Sequence, residues 1–160
     1  MIGRRLRNAT GVAALLLLLG GCTPWNSVFA AVSNQGGGTT LMQICAGGGS
    51  ATSISLADAD DSATAWRVSG PGLEEDSAPF FQTPDGWAAG DGILTSIAAG
   101  HRYRLEVGIS NSSVAPNSTF DFAADDLASL EAGKVMAADG KGGYTIMTEQ
   151  EFRDRADGAC

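Results

Sequence analysis

The sequence predicts a mainly β fold, an antiparallel β-sandwich completed by a C-terminal hairpin and a short helix. Three observations point there. From Leu41 onward the apolar residues recur mostly at every second position, the period of a half-buried strand. Clusters rich in Gly, Pro and Asp interrupt them at short intervals: Gly47-Gly48-Gly49, Gly70-Pro71-Gly72, Pro84-Asp85-Gly86 and Pro116-Asn117. The tail then changes to helical spacing. Many short strands separated by such punctuation suit two packed sheets.

Leu41-Met42-Gln43-Ile44-Cys45 reads as a short apolar strand. In the segment 63–69, Thr64, Trp66 and Val68 share a face opposite Arg67. Ile93, Thr95 and Ile97 mark a further candidate strand. The cleanest alternation follows, with Tyr103, Leu105, Val107 and Ile109 on one side and Arg102, Arg104 and Glu106 on the other. One face then meets a core and the other water. Phe120 and Phe122 supply another strand, and the segment 123–130 a short helix with Leu127 and Leu130 inward. Strands at 134–138 and 144–147 flank Asp139-Gly140-Lys141-Gly142-Gly143, a hairpin loop. Thr148-Glu149-Gln150-Glu151 has the form of a capping box opening a helix. Phe152, Ala156 and Ala159 fall on its inner face, and Glu149–Arg153 and Glu151–Arg155 are favourably ordered pairs four apart.

The segment Ile97-Ala98-Ala99-Gly100-His101-Arg102-Tyr103-Arg104-Leu105 resembles the tyrosine corner of immunoglobulin-like and fibronectin type III domains, without the usual proline before the glycine. The resemblance implies an immunoglobulin-like sandwich, with Tyr103 opening the penultimate strand and Trp66 as the core tryptophan.

The N-terminus carries a different kind of signal. Arg4, Arg5 and Arg7 precede an apolar run from Val12 to Leu19, and Leu19-Gly20-Gly21-Cys22 closes it. This order is that of a secretory signal. The apolar run is shorter than the roughly 20 residues a spanning helix needs. The last four residues resemble the lipobox of bacterial lipoproteins, with Gly20 where Ala, Ser or Thr is commoner. That resemblance implies cleavage before Cys22, a diacylglyceryl thioether on its sulfur, further acylation such as palmitate, and a place on the outer face of the cell membrane. The domain reading is therefore a signal peptide at 1–21, a lipidated N-terminus and tether at 22–40, and a β-sandwich domain with a C-terminal helix-hairpin-helix extension at 41–160. The tether contains Pro24 and Gly36-Gly37-Gly38 and no charge, for a reach of roughly 20–25 Å as a coil. Val28-Phe29-Ala30-Ala31-Val32 within it reads equally well as the first strand of the domain.

Charge and cysteine count narrow the function classes. The chain holds 18 acidic and 10 basic residues, a net charge of −8. Three arginines leave with the signal, so seven basic residues face eighteen acidic ones, a net charge of −11. Such a surface repels nucleic acid. Of three cysteines, the lipobox resemblance implies that Cys22 is consumed by lipid. In an exported chain the remaining two, Cys45 and Cys160, suggest a disulfide.

Candidate chemistry is sparse. Asp58, Asp60 and Asp61 have carboxylates spaced as in calcium loops. An EF-hand frame from Asp58 fails, because Ala63 stands at the glycine position and Ser69 at the final glutamate. His101 is the lone histidine, and neither Gly-x-Ser-x-Gly nor His-Glu-x-x-His occurs. Glu74, Glu75, Asp76 and Asp91 offer carboxylates to a glycan hydrolase, a pattern without specificity in an acidic chain. Phe80, Phe81 and Trp87 lie in a Gly/Pro/acid-rich stretch and are candidate ligand-binding aromatics, or alternatively caps on the core. Asn111-Ser112-Ser113 and Asn117-Ser118-Thr119 match sequons and read here as polar loop.

The sequence thus favours a lipid-anchored envelope protein acting as a non-catalytic binding or structural module, with no cofactor. Its partners would be the membrane, through the anchor, and an envelope or extracellular protein or glycan. Two other readings stand beside it. One is an exclusion or immunity lipoprotein. The other is an envelope glycan hydrolase or metal-dependent enzyme, favoured by an ion at Asp58, Asp60 and Asp61 or a cleft joining His101 to carboxylates.

Overall fold

In the computed structural model, residues 28–45, 49–73, 76–109 and 118–160 are described. The signal, Cys22, Glu74, Glu75 and both sequon asparagines lie outside them.

Two five-stranded antiparallel sheets face each other, as the alternation predicts. The strands are β1 (Val28–Ser33), β2 (Thr39–Ile44), β3 (Ala51–Asp58), β4 (Ala65–Leu73), β5 (Ser77–Pro79), β6 (Ala88–Ala89), β7 (Arg102–Ile109), β8 (Ser118–Ala123), β9 (Lys134–Ala138) and β10 (Tyr144–Thr148). Helices α1 (Ala124–Ala128) and α2 (Glu149–Ala159) follow β8 and β10. One sheet has the order β10-β9-β1-β2-β5 and the other β6-β4-β3-β7-β8.

The tether reading gives way to its alternative over residues 28–40. Val28–Ser33 is a strand paired in full register with β2, Val28 opposite Ile44 and Ser33 opposite Thr39. The domain therefore includes residues 28–40, and Gly36-Gly37 form the turn between β1 and β2. Gly38 has a φ of +122°, and a Cβ there would overlap the Phe80 ring. The glycines serve a tight β-turn and a close approach, where composition alone suggests a flexible linker.

Strand β3 was not legible as a strand beside the acidic run that ends it, yet it is central. It pairs with β4 on one side and β7 on the other, Leu56 standing opposite both Trp66 and Leu105. Ile54 and Leu56 are fully buried. The expected strand at Ile93, Thr95 and Ile97 does not form. Leu94 donates one hydrogen bond to the Ala65 carbonyl, and Leu94 and Ile97 pack on the core while Ile93 is 74 % exposed. Here the apolar residues anchor a connecting loop, so their period carries no ladder.

The main core lies between the sheets and includes Val32, Met42, Ile54, Leu56, Trp66, Val68, Tyr103, Leu105, Phe120, Phe122 and Met136. A second apolar layer forms outside the first sheet, where Phe152 of α2 covers Ala31, Leu41, Val135 and Ala137. Strands β1 and β9 are buried on both faces, which explains their unbroken apolar runs.

The C-terminal elements follow the sequence closely. Leu127 and Leu130 are buried. Asp139 organises the hairpin loop by accepting the N–H groups of Lys141 and Gly143. Thr148 and Glu151 form the capping box, the Thr148 hydroxyl accepting the Glu151 N–H at 3.1 Å and the Glu151 carboxylate accepting the Thr148 N–H at 2.7 Å. That carboxylate is consequently not paired with Arg155, as spacing alone suggested. Glu149 does bind Arg153, which also reaches Asp76 at 2.6 Å. Phe152 and Ala156 face inward, while Ala159 is exposed because the helix ends there. Cys160 is bonded to Cys45, so the helix is clasped to the end of β2.

Candidate functional site

Strand directions define two ends of the sandwich. Val28, Ile44, Cys45, Ala51 and Ile109 meet at one end, since Val28 pairs with Ile44 and Ala51 with Ile109. Asp58 and Tyr103 pair at the other. The Asp58 run and His101 collect at this second end, while Asp76 lies beside Met42 of β2.

There Tyr103 lies near the start of β7, and three further strands follow it, so it does not open the penultimate strand that the resemblance implied. Tyr103 is buried in the core, and its hydroxyl accepts the Ala98 N–H five residues upstream at 2.9 Å. This closes the turn that carries His101. The carbonyl of His101 accepts the Ala124 N–H, and Asp125 of α1 accepts the Gly100 N–H, so α1 buttresses the same turn.

His101 is half exposed, and its Nδ1 lies 2.8 Å from Oδ2 of Asp58. This contact was invisible in the sequence, because its partners lie 43 residues apart and meet only through the β3–β7 register. The other Asp58 oxygen accepts the N–H groups of Asp60 at 2.9 Å and Asp61 at 3.3 Å. Asp61 in turn accepts the Ala63 N–H and the Thr64 hydroxyl. The acidic run is thus a self-bonded turn joining β3 to β4, held by Asp side chains that accept backbone N–H groups.

Asp58 and Asp61, read above as calcium ligands, bond instead to their own loop and to His101. Both Asp58 oxygens are engaged, and Asp61 folds back on its own loop. Among the described residues no group of three or more His, Cys, Asp or Glu side chains is placed to hold an ion. The imidazole and Asp58 supply a hydrogen-bonded His–Asp pair, and a nucleophilic triad needs a third group. No hydroxyl or thiol among the described residues bonds to the imidazole to complete one.

The amide of Asp60, followed by the His101 hydrogen bond, holds the Asp58 carboxyl below the usual aspartate range. A depressed carboxyl stabilises the fold above its unfolded value of about 3.9 and loses that contribution as pH falls through its lower folded value. Asp58→Ala is therefore expected to lower the thermal midpoint at pH 7, and the gap from the parent chain should narrow steadily below pH 4. A gap of constant size down to pH 2 would mean that the carboxylate charge does not matter. Nearby, burial and then Asp126 push the Tyr144 hydroxyl up to about 12, and it donates to Asp126 at 2.6 Å.

The three aromatic candidates are structural to differing degrees. Phe80 and Trp87 are buried in the main core, which corrects their reading as ligand contacts. A Cβ on Gly70 would overlap the Trp87 ring, so β4 is kept bare there to admit the indole. Phe81 is partly buried with a φ of +62°, in the left-handed region that non-glycine residues rarely occupy. The turn brings its ring edge-on to both Trp66 and Phe80, at 6.0 Å. The rings cap one end of the core.

Two hollows remain. One of about 190 Å³ is lined by Asn34, Gln35, Leu130, Glu131 and Lys134, and one of about 260 Å³ by Gln43, Ile44, Ser50 and Leu73. Both fall below the roughly 300–1,000 Å³ usual for small-molecule sites. No helix among the described residues is long and apolar enough to cross a membrane. Comparison with known proteins finds no matching family model, no matching curated protein and no matching solved structure.

Proposed function

We infer that this chain is a lipid-anchored protein of a bacterial cell envelope that acts as a non-catalytic binding or structural module. The carrying observation is the allocation of its three cysteines. Cys45 and Cys160 are bonded to each other, which suits an oxidising compartment. Cys22 is then the odd thiol, and it stands directly after the apolar leader.

Five residues separate Cys22 from the first strand, a maximum span of roughly 20 Å. In this reading the lipid holds the Val28 end toward the bilayer, and the end with Asp58 and His101 turns toward envelope partners. The acidic surface keeps the domain off anionic headgroups. The tether raises the local concentration of whatever face is presented. A binding role is favoured over hydrolysis because the carboxylates nearest His101 are spent on shaping a turn.

Expression of the full chain and of Cys22→Ala in a bacterium tests the reading. The parent chain is expected in the membrane fraction with an N-terminal peptide carrying acyl mass on Cys22, and the variant in the soluble extract. An unmodified Cys22, or identical partitioning of the two, would overturn it.

A further inference from the structure

Three buried polar side-chain atoms among the described residues have no hydrogen-bond partner: the Ser33 and Thr40 hydroxyl oxygens and the Trp87 indole nitrogen. An orphaned buried hydroxyl weakens a fold, and its retention calls for a reason. Trp87 packs in the main core, and Thr40, opposite Val32, faces the same core. Ser33 differs. It is 3 % exposed, shares a face of β1 with Ala31 beneath α2, and lines the hollow of about 190 Å³ at the start of that helix.

The hollow lies at the end of the sandwich that also carries His101. α1 links the two, its Ala124 N–H bonded to the His101 carbonyl and its Ala128 carbonyl accepting the Asn34 amide. Glu131 and Lys134 both line the hollow, brought together by a turn in which the Lys134 N–H meets the Glu131 carbonyl at 3.0 Å. Their side chains form no ion pair with each other. The Glu131 carboxylate bonds to nothing among the described residues. Lys134 lies beside Glu151, whose carboxylate is committed to the capping box. Glu149, the third charged residue of the lining, is held by Arg153, and Leu130 supplies an apolar wall.

We propose that this hollow binds a small zwitterion of amino-acid size, its ammonium at Glu131, its carboxylate at Lys134, and one of its polar atoms on the Ser33 hydroxyl. Charge selects the class. A simple anion is opposed by Glu131 and Glu149, and a simple amine by Lys134, whereas a ligand with both charges finds an opposite partner for each. A bare metal ion lacks a set of three or more acidic or nitrogen ligands among the described residues. Size agrees, since the volume excludes a drug-sized ligand and suits an amino acid with a short side chain. The site goes beyond the role proposed above and does not depend on the anchor, so Cys22→Ala keeps it.

Calorimetric titration of the full chain at pH 7 with L- and D-alanine tests this. At least one enantiomer is expected to bind at least about tenfold more tightly than its N-acetyl or amide derivative, each of which lacks one charge. Glu131→Gln and Lys134→Met should each weaken alanine binding by about the same factor, while Lys141→Met, in the hairpin loop, leaves it unchanged. Ser33→Ala removes a hydroxyl that has no partner in the fold, so its thermal midpoint should hold or rise while alanine binding weakens about threefold. Four outcomes would overturn the proposal: no binding of either enantiomer at millimolar concentration, equal binding of the singly charged derivatives, binding of glucose instead of alanine, or a Ser33→Ala chain that melts lower and binds alanine as the parent does.

Discussion

Cys45→Ala, alone or with Cys160→Ala, is expected to destabilise the fold by about 2–5 kcal/mol, one of the two largest effects available in this chain. The bond joins residues 115 apart, so it closes a loop that holds most of the domain. Chain-entropy arguments put the ceiling for a loop of this length near 4.7 kcal/mol. The loss has a local part as well. α2 is only 11 residues long, too short to persist in isolation, and it relies on Phe152, Ala156 and the clasp at Cys160. Arg153 to Asp76 and Gln43 to Asp157 add exposed contacts worth a few tenths of a kcal/mol each. Urea unfolding with and without reductant measures the total. Hydrogen exchange at residues 152–159 should accelerate in the alanine variant by more than in the strands of the main core. Uniform acceleration across the domain would show that the bond acts on the unfolded chain alone.

Trp87→Ala is expected to cost about 3–5 kcal/mol, as for any large aromatic removed from a packed core. Trp87 is 9 % exposed and presses on Gly70 of β4. Its indole N–H is buried without a partner, so Trp87→Phe removes an unsatisfied donor and should cost less than about 1.5 kcal/mol. A ligand-contacting tryptophan predicts the opposite, two variants with parental stability. Thermal melts of the pair decide between these roles.

The aromatics show where sequence reasoning reaches its edge. Phe80, Phe81 and Trp87 sit among Gly, Pro and acidic residues, a context shared by binding loops and by the capped end of a sandwich. Only the placement of Trp66 beneath Phe80 and Phe81, and of bare Gly70 beneath Trp87, selects the second. The Asp58 run shows the same limit. Its spacing is compatible with an ion or with a self-bonded turn, and the hydrogen bonds to Asp60, Asp61 and His101, which build the turn, come from beyond the pattern itself. By contrast β7, α1, the β9–β10 hairpin and the capping box were legible residue by residue, because their signals are local. Alternation, a loop aspartate and a Thr-x-x-Glu pair each act within a few positions.

Local periodicity and punctuation by themselves determined the β class and the closing hairpin and helix, while cysteine count, with the lipobox resemblance, suggested the partnership of Cys45 with Cys160. These follow from backbone geometry and redox chemistry, which any stretch of chain carries with it. Tertiary structure alone decided that the glycine-rich stretch 28–40 is strand and turn, that β3 lies at the centre of a sheet, and that His101 meets Asp58. Those outcomes depend on which distant strands align, and the energy of alignment comes from apolar surface buried between sheets. No window of neighbouring residues contains that surface.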